Sequence, residues 1–270
     1  MSAAAVRPDL TARLRPPDRA PVPCKVCGGE AALFGVLDFN RNCVEERGGR
    51  LPLAGVPIYY RRCRGCGLVF TDAFDAWSHD DFRAHIYNDA YAEVDPDSEE
   101  TRPIQNARWV TARLGPGLQG RRVLDYGGGG GRFCAELRAA GLACETYDPI
   151  YPETGGRPEG RFELVTCFET LEHLPDPRGG AADLAALTAD DGVIFFSTLV
   201  QPADFDRRGL SWWYIGPRNG HITLYSRHAL ALLWRGLGFS VASFNDNLHM
   251  AFRDAEPPAF VREAFKPRAG

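Results

Sequence analysis

RRVLDYGGGGGRFCAEL, residues 121–137, sets five consecutive glycines between a short apolar run and a helix-like segment. RVLDY reads as a buried strand, and RFCAELRAAG as a helix with Phe133, Leu137 and Ala140 on one face and Gly141 as its stop. Side chains in the connecting turn would hold the backbone away from a ligand and forbid some φ values. Downstream, LACETYD, RFELVTCF and DGVIFFSTL read as further strands, with GGAADLAALTADD between the last two as a helix. This alternation predicts an α/β fold: a doubly wound, Rossmann-like sheet with ligands at the carboxyl ends of its strands.

The glycine run itself narrows the ligand. The dinucleotide fingerprint G-x-G-x-x-G fails in every register, because its third glycine falls on Arg132, Phe133 or Cys134. A phosphate-binding P-loop fails as well, since no G-K-[ST] closes the run. The pattern that fits is D-x-G-x-G-x-G, as Asp125, Gly127, Gly129 and Gly131. A second acidic landmark, Asp148, ends the next strand 17 residues after Gly131.

Over residues 101–253 these motifs resemble the class I S-adenosylmethionine-dependent methyltransferases. The resemblance implies that the loop backbone packs against the methionine and ribose portion of S-adenosylmethionine. Asp125 would hold the loop or accept from the ammonium group, and Asp148 would take the two ribose hydroxyls on its two oxygens. The family's third strand and helix have only PIYPETGGRPEGR in their place, so that unit reads as a loop.

FELVTCFETLEHLPDP, residues 162–177, also resembles the family. On that likeness Phe168 and Glu169 reach the cofactor side, while Glu172 and His173 point towards the substrate. Methyl transfer from a sulfonium is an in-line displacement, in which the protein aligns a nucleophile and a base removes its proton. His173 is the first candidate base, with Glu172 as its orienting partner. A competing use comes from E-x-x-E-H, which is similar to the pattern in ubiquinone-pathway O-methyltransferases and small-RNA 3′-end methyltransferases. There a second divalent cation would sit at Glu169, Glu172 and His173, with His221 as a further ligand.

The N-terminal part carries a different signal. VPCKVCGGE and YRRCRGCG each contain C-x-x-C followed by glycine, with 35 residues between Cys27 and Cys63. Two such turns make a four-cysteine zinc ribbon with Cys24, Cys27, Cys63 and Cys66 as ligands, a structural metal with no open position for chemistry. Cys43 lacks a partner at that spacing. Between Asp72 and Glu100 ten acidic residues face one arginine. This stretch reads either as a solvated connector or as a lid carrying Tyr87 and Tyr91, with Tyr91 then a candidate at the active site; a third reading makes these aromatics core contacts. Trp212, Trp213 and Tyr214, followed by Pro217, Arg218, Asn219 and His221, suit a polar ring such as a sugar, or serve as caps on the core.

The boundaries expected are a flexible leader over 1–21, the ribbon over 22–71, an acidic linker or lid over 72–100, a methyltransferase core over 101–255 and a tail over 256–270. At 44% apolar and 24% charged residues, with net charge −4, the chain reads as an ordinary globular protein with no general affinity for polyanions. No apolar run approaches bilayer length and the N-terminus lacks a signal-peptide h-region, so a cytoplasmic setting without membrane partners is expected. A zinc-knuckle pair ahead of such a core resembles bacterial enzymes that methylate deoxysugar nucleotides and other secondary metabolites. The function expected is methyl transfer to a small polar acceptor, a sugar or another polyhydroxylated metabolite. The alternatives are an RNA methyltransferase gripping its substrate through RRCRGCG, which the acidic segment opposes, and a cofactor-binding regulator without catalysis.

Overall fold

The computed structural model describes residues 20–266. The expected leader therefore lies almost wholly outside the described residues, as do the last residues of the expected tail. In chain order the strands and helices are β1 (Val22–Pro23), β2 (Glu30–Asp38), β3 (Pro57–Cys63), β4 (Val69–Thr71), α1 (His79–His85), α2 (Thr101–Leu118) and β5 (Arg122–Tyr126). There follow α3 (Arg132–Ala139), β6 (Ala143–Tyr147), β7 (Phe162–Phe168), α4 (Pro177–Leu187), β8 (Thr188–Ser197) and α5 (Phe205–Arg208). The last are β9 (Thr223–Leu224), α6 (Arg227–Arg235), β10 (Ser240–Ser243), β11 (Leu248–Phe252) and α7 (Ala259–Ala264). No helix among the described residues is long and apolar enough to cross a membrane.

Two compact units emerge, neither continuous in sequence. The first takes residues up to Pro96 together with Glu172–Arg178 and Leu199–Leu232. Its antiparallel sheet has the order β1-β2-β3-β4-β9. Strand β9 comes from the aromatic insert and pairs with β4 through Val69↔Leu224 and Phe70↔Thr223. The acidic stretch is built into this unit: Phe74, Phe82, Ile86 and Val94 are buried, and α1 opens with a capping box between Ser78 and Asp81. Arg218 Nη1 donates to Ile86 O at 2.9 Å and Asn219 Nδ2 to Val94 O at 2.9 Å, so residues 86–94 are tied down by the insert. Much of the stretch is thus core contact; Asp75, Asp80, Asp89 and Glu93 are exposed, whereas Asp81 is buried and Asp72 pairs with Arg61.

The second unit holds Asp97–Leu171, Gly179–Thr198 and Leu233–Gly270. Its six strands run β10-β11-β8-β7-β5-β6. The pairs β6–β5, β5–β7 and β7–β8 are parallel, and β11 and β10 complete the edge as an antiparallel hairpin. Between β6 and β7 the described chain forms only one 3-10 turn, Pro152–Thr154, so the third strand and helix are reduced to a loop, as the sequence suggests. The core packs Val123, Leu164, Val193 and Phe195 against Val110, Leu114, Phe133 and Leu137 of α2 and α3; burying each such side chain contributes about 1.5–3 kcal/mol.

Two local readings change. The helix expected over GGAADLAALTADD stops at Leu187, because Thr188 already pairs with Phe162 and β8 begins there. Thr188 Oγ1 marks the stop by donating to Leu184 O at 2.7 Å. Residues 259–264, within the expected tail, form α7, with Phe260 and Val261 buried in the same core as α2.

Candidate functional site

In the second unit the carboxyl ends of the parallel strands carry the predicted cofactor residues. Asp125, near the end of β5, is 4% exposed and lies directly beneath the loop. A Cβ on Gly128 would fall 2.3 Å from its Oδ2, and one on Gly127 would fall 2.4 Å from Thr170 Oγ1. The bare backbone therefore serves two close approaches, to a buried carboxylate below and to the chain after β7 beside it. Over Gly129 and Gly130 a Cβ would meet nothing within 4 Å, so that stretch of the loop is open. Burial pushes the Asp125 carboxyl up to about 7, against the pull of Thr166 Oγ1, which donates to Asp125 Oδ1 at 2.8 Å; the charge of Asp148 adds to the rise.

Asp148 follows β6 and is fixed by two backbone donors. Gly129 N donates to Oδ2 at 3.0 Å and Ile150 N to Oδ1 at 2.8 Å. A carboxylate has two oxygens with two acceptor sites each, the kind of group that suits both backbone donors and a vicinal diol. Phe168, the last residue of β7, packs its ring edge-on against Phe133 at 5.7 Å between centroids. Glu169 is the sole non-glycine residue with positive φ (49°) among the described residues. Its Oε1 accepts from Ser197 Oγ at 2.6 Å, and its N donates to the same oxygen at 2.8 Å. These surroundings fit a cationic nucleoside: an open turn of backbone, a fixed carboxylate for a diol and further carboxylates for positive charge.

The first unit gathers two groups. The sulfur atoms of Cys24, Cys27, Cys63 and Cys66 lie within 4.8 Å of one another, with Cys24–Cys66 at 3.6 Å and Cys27–Cys63 at 3.5 Å. Backbone amides turn towards them as the C-x-x-C turns require: Val26 N to Cys24 Sγ and Cys66 N to Cys63 Sγ, both at 3.4 Å. Sharing a proton with Cys66 draws the Cys24 thiol down to about 5, and the same contact holds Cys66 up. Such a set could hold a tetrahedral cation. Cys43 stands outside it, as expected, with its Sγ 3.5 Å from His221 Nδ1. Cys134 and Cys144, to which the sequence assigns no role, are joined by a disulfide between α3 and β6 of the second unit.

The other group is Glu172, His173 and His221, whose ligand atoms also lie within 4.8 Å of one another. Glu172 is 0% exposed and its Oε1 accepts from Tyr214 Oη at 2.6 Å. His173 Nε2 lies 4.0 Å from the same Oε1. His221 Nδ1 is 2.7 Å from Tyr214 O, a contact in which Nδ1 is the donor, since a carbonyl oxygen only accepts. Tyr87 stands edge-on to His173 at 5.9 Å and tilts against Tyr91 at 5.1 Å; Tyr91 Oη reaches Asn219 O at 3.4 Å. The insert thus brings His221 to Glu172 and His173, a meeting that sequence spacing alone leaves open. Glu169, the third member of the expected cation site, is not in this group; its carboxylate is engaged by Ser197. Tyr214 and Ser197 are the side-chain partners that sequence reasoning misses, because hydrogen bonds 28 and 42 residues apart leave no local pattern.

Residues 98–243 match the family described as "Methyltransferase domain", and the chain belongs to that family as a class I S-adenosylmethionine-dependent methyltransferase. It is 34% identical over 128 residues to the ubiquinone biosynthesis O-methyltransferase of Salmonella paratyphi A, covering 38% of this chain and 50% of that protein. With the enzyme of the same name from Aromatoleum aromaticum it shares 31% identity over 140 residues, covering 43% and 58%. The chain therefore spans about half the length of the curated relatives it matches. Among solved structures, an O-methyltransferase family protein from Burkholderia thailandensis superposes with a TM-score of 0.51 at 16% identity, over 68% of this chain and 64% of that one, a likeness of fold.

Proposed function

We propose that the protein methylates an oxygen of a small polar acceptor, a sugar or another polyhydroxylated metabolite, with His173 as base and Glu172 as its orienting partner. The observation that carries this reading is the buried Glu172 carboxylate, held by Tyr214 at 2.6 Å and lying 4.0 Å from His173 Nε2. Bound S-adenosylmethionine supplies an electrophilic methyl carbon on a sulfonium. Asp148 takes the ribose diol, the backbone of Gly127, Gly129 and Gly131 lies under the methionine portion, Asp125 holds that loop from below, and Phe168 and Glu169 complete the cofactor side. His173 accepts the hydroxyl proton at Nε2, and Glu172 stabilises the resulting imidazolium. His221 and Tyr91 line the acceptor site, where aromatic faces and polar edges suit a ring bearing hydroxyls. The relatives named O-methyltransferases support oxygen as the acceptor atom.

In the same reading Cys24, Cys27, Cys63 and Cys66 hold a structural zinc. Their closest sulfur pairs, 3.6 and 3.5 Å apart, approach the ~3.8 Å edge of a tetrahedron with ~2.3 Å zinc–sulfur bonds. A second reading, favoured by the Glu172–His173–His221 group, places a divalent cation there to polarise vicinal hydroxyls of the acceptor.

Mass spectrometry of candidate hydroxylated metabolites incubated with the protein and methyl-labelled S-adenosylmethionine tests the activity directly. Under the base reading, His173→Ala abolishes turnover with cofactor affinity intact, and the purified protein contains one zinc and no other metal. Unchanged turnover in that variant removes His173 from the mechanism. Two metals per chain, with turnover lost on stripping one and regained on its return, favours the cation reading.

A further inference from the structure

Glu169 breaks a rule that the rest of the described chain keeps. Every other residue with positive φ is a glycine, at fourteen positions. Where conformation alone matters, this sequence uses the residue that adopts it without steric cost. At 169 it keeps a glutamate at φ 49°, in a region a Cβ disfavours. Such strain persists when the surroundings over-determine it and the side chain has work to do.

The surroundings are Ser197, the last residue of β8 and 5% exposed. Its hydroxyl accepts from Glu169 N at 2.8 Å and donates to Glu169 Oε1 at 2.6 Å. Glu169 N lies 3.2 Å from Ser197 O as well. One serine thus grips both the backbone and the carboxylate of the strained residue. The N–H contacts alone would hold a glycine equally well, so they do not explain a side chain. The second oxygen, Oε2, receives no hydrogen bond from any described residue, and Glu169 is only partly buried.

Position indicates what that oxygen meets. Thr170, the next residue, packs so closely on Gly127 that a Cβ there would come within 2.4 Å of its hydroxyl. The chain at Glu169 and Thr170 therefore runs beside the first glycine of the loop. Asp125, the other acidic group there, lies under Gly128 and is committed to Thr166; it braces the loop and is shielded by it. The amino-acid ammonium of the cofactor then needs a different anion.

We propose that Glu169 is that anion, and that Ser197 is a positioning residue which holds it in the left-handed conformation with Oε2 aimed at the ammonium group. This rests on the cofactor lying along the glycine loop. It adds the ammonium contact and a residue, Ser197, that acts through another.

The experiment is calorimetric titration of the full chain and its variants with S-adenosylhomocysteine, which carries the ammonium, and with 5′-methylthioadenosine, which lacks it. Thermal melting of each ligand-free protein runs alongside. Glu169→Gln keeps the strain and removes the charge; Glu169→Gly removes both. Each is expected to weaken S-adenosylhomocysteine about tenfold and to leave 5′-methylthioadenosine unchanged, while Glu169→Gly alone raises the melting temperature. Ser197→Ala is expected to show the same ligand selectivity with a smaller loss. Equal losses for both ligands, or none for either, in the glutamate variants overturn the assignment. Should the unaltered protein bind neither ligand, it is the cofactor reading that fails.

Discussion

Replacing Gly128 and Gly130 separately by alanine distinguishes the two faces of the loop. At Gly128 the new Cβ would stand 2.3 Å from Asp125 Oδ2, 2.8 Å from Asp125 Cγ and 2.8 Å from Thr146 Cγ2. Ordinary contact is near ~3.5 Å, so one side must retreat by about 1 Å. The carboxylate does not retreat freely, because Thr166 Oγ1 holds it at 2.8 Å in a buried setting. Overpacking of this kind costs about 1–3 kcal/mol, and at roughly 2–4 °C per kcal/mol for a chain of this size the melting temperature falls by about 2–12 °C. At Gly130 a Cβ meets nothing within 4 Å, so the ligand-free protein should melt within about 1 °C of the parent. If the cofactor lies over this open stretch, Gly130→Ala still weakens S-adenosylhomocysteine by tenfold or more, about 1.4 kcal/mol. Differential scanning fluorimetry and calorimetric titration read both quantities. A Gly128→Ala protein as stable as the parent would refute the packing argument, and a Gly130→Ala protein of full affinity would refute the placement of the cofactor.

Asp125 yields a prediction about pH. Its carboxyl is raised from 3.8 to about 7, so the folded state holds this proton more tightly than the unfolded state. Its contribution to stability is greatest below pH 4 and is lost as pH rises to 7, with a slope of at most about 1.4 kcal/mol per pH unit; Asp125→Asn should flatten that part of a stability–pH curve. A cationic ligand favours the ionised carboxylate, so binding at pH 7 should release a fraction of a proton, measurable as a buffer-dependent binding enthalpy. Tyr214→Phe removes the donor to the buried Glu172 Oε1 and should destabilise the fold by about 1.5–3 kcal/mol in urea titrations, with turnover reduced. Cys66→Ser should release zinc on purification and cost several kcal/mol of stability, since binding energy at such sites is largely folding energy; a metal-free but equally stable variant would contradict the structural role.

The second unit is the more legible part of the sequence. RVLDY, the glycine run and Asp148 carry strict local requirements, in period, φ and charge, and the strands they predict form with the parallel pairing expected. Helix α2 escapes a sequence reading because Pro103, Gly115, Pro116 and Gly117 break its pattern, although its inner face buries Val110, Leu114 and Leu118. In the first unit the paired C-x-x-C turns signal the thiol cluster, because each turn presents two sulfurs on one side and the matched pairs complete a four-cornered set. The pairing of β9 with β4 and the approach of His221 to Glu172 and His173 join segments far apart in the chain, through two-residue contacts that leave no periodicity. Glu169 is visible in the sequence as an acidic residue after a strand; its left-handed backbone and its grip by Ser197 are not.

The account depends most directly on Asp148 and a nucleoside across the open turn. Calorimetric titration with S-adenosylhomocysteine should give one site per chain, and Asp148→Ala should weaken it by about a hundredfold, the loss of two charge-assisted hydrogen bonds at about 1.5 kcal/mol each. No heat with the parent protein, or equal affinity in the variant, would contradict it.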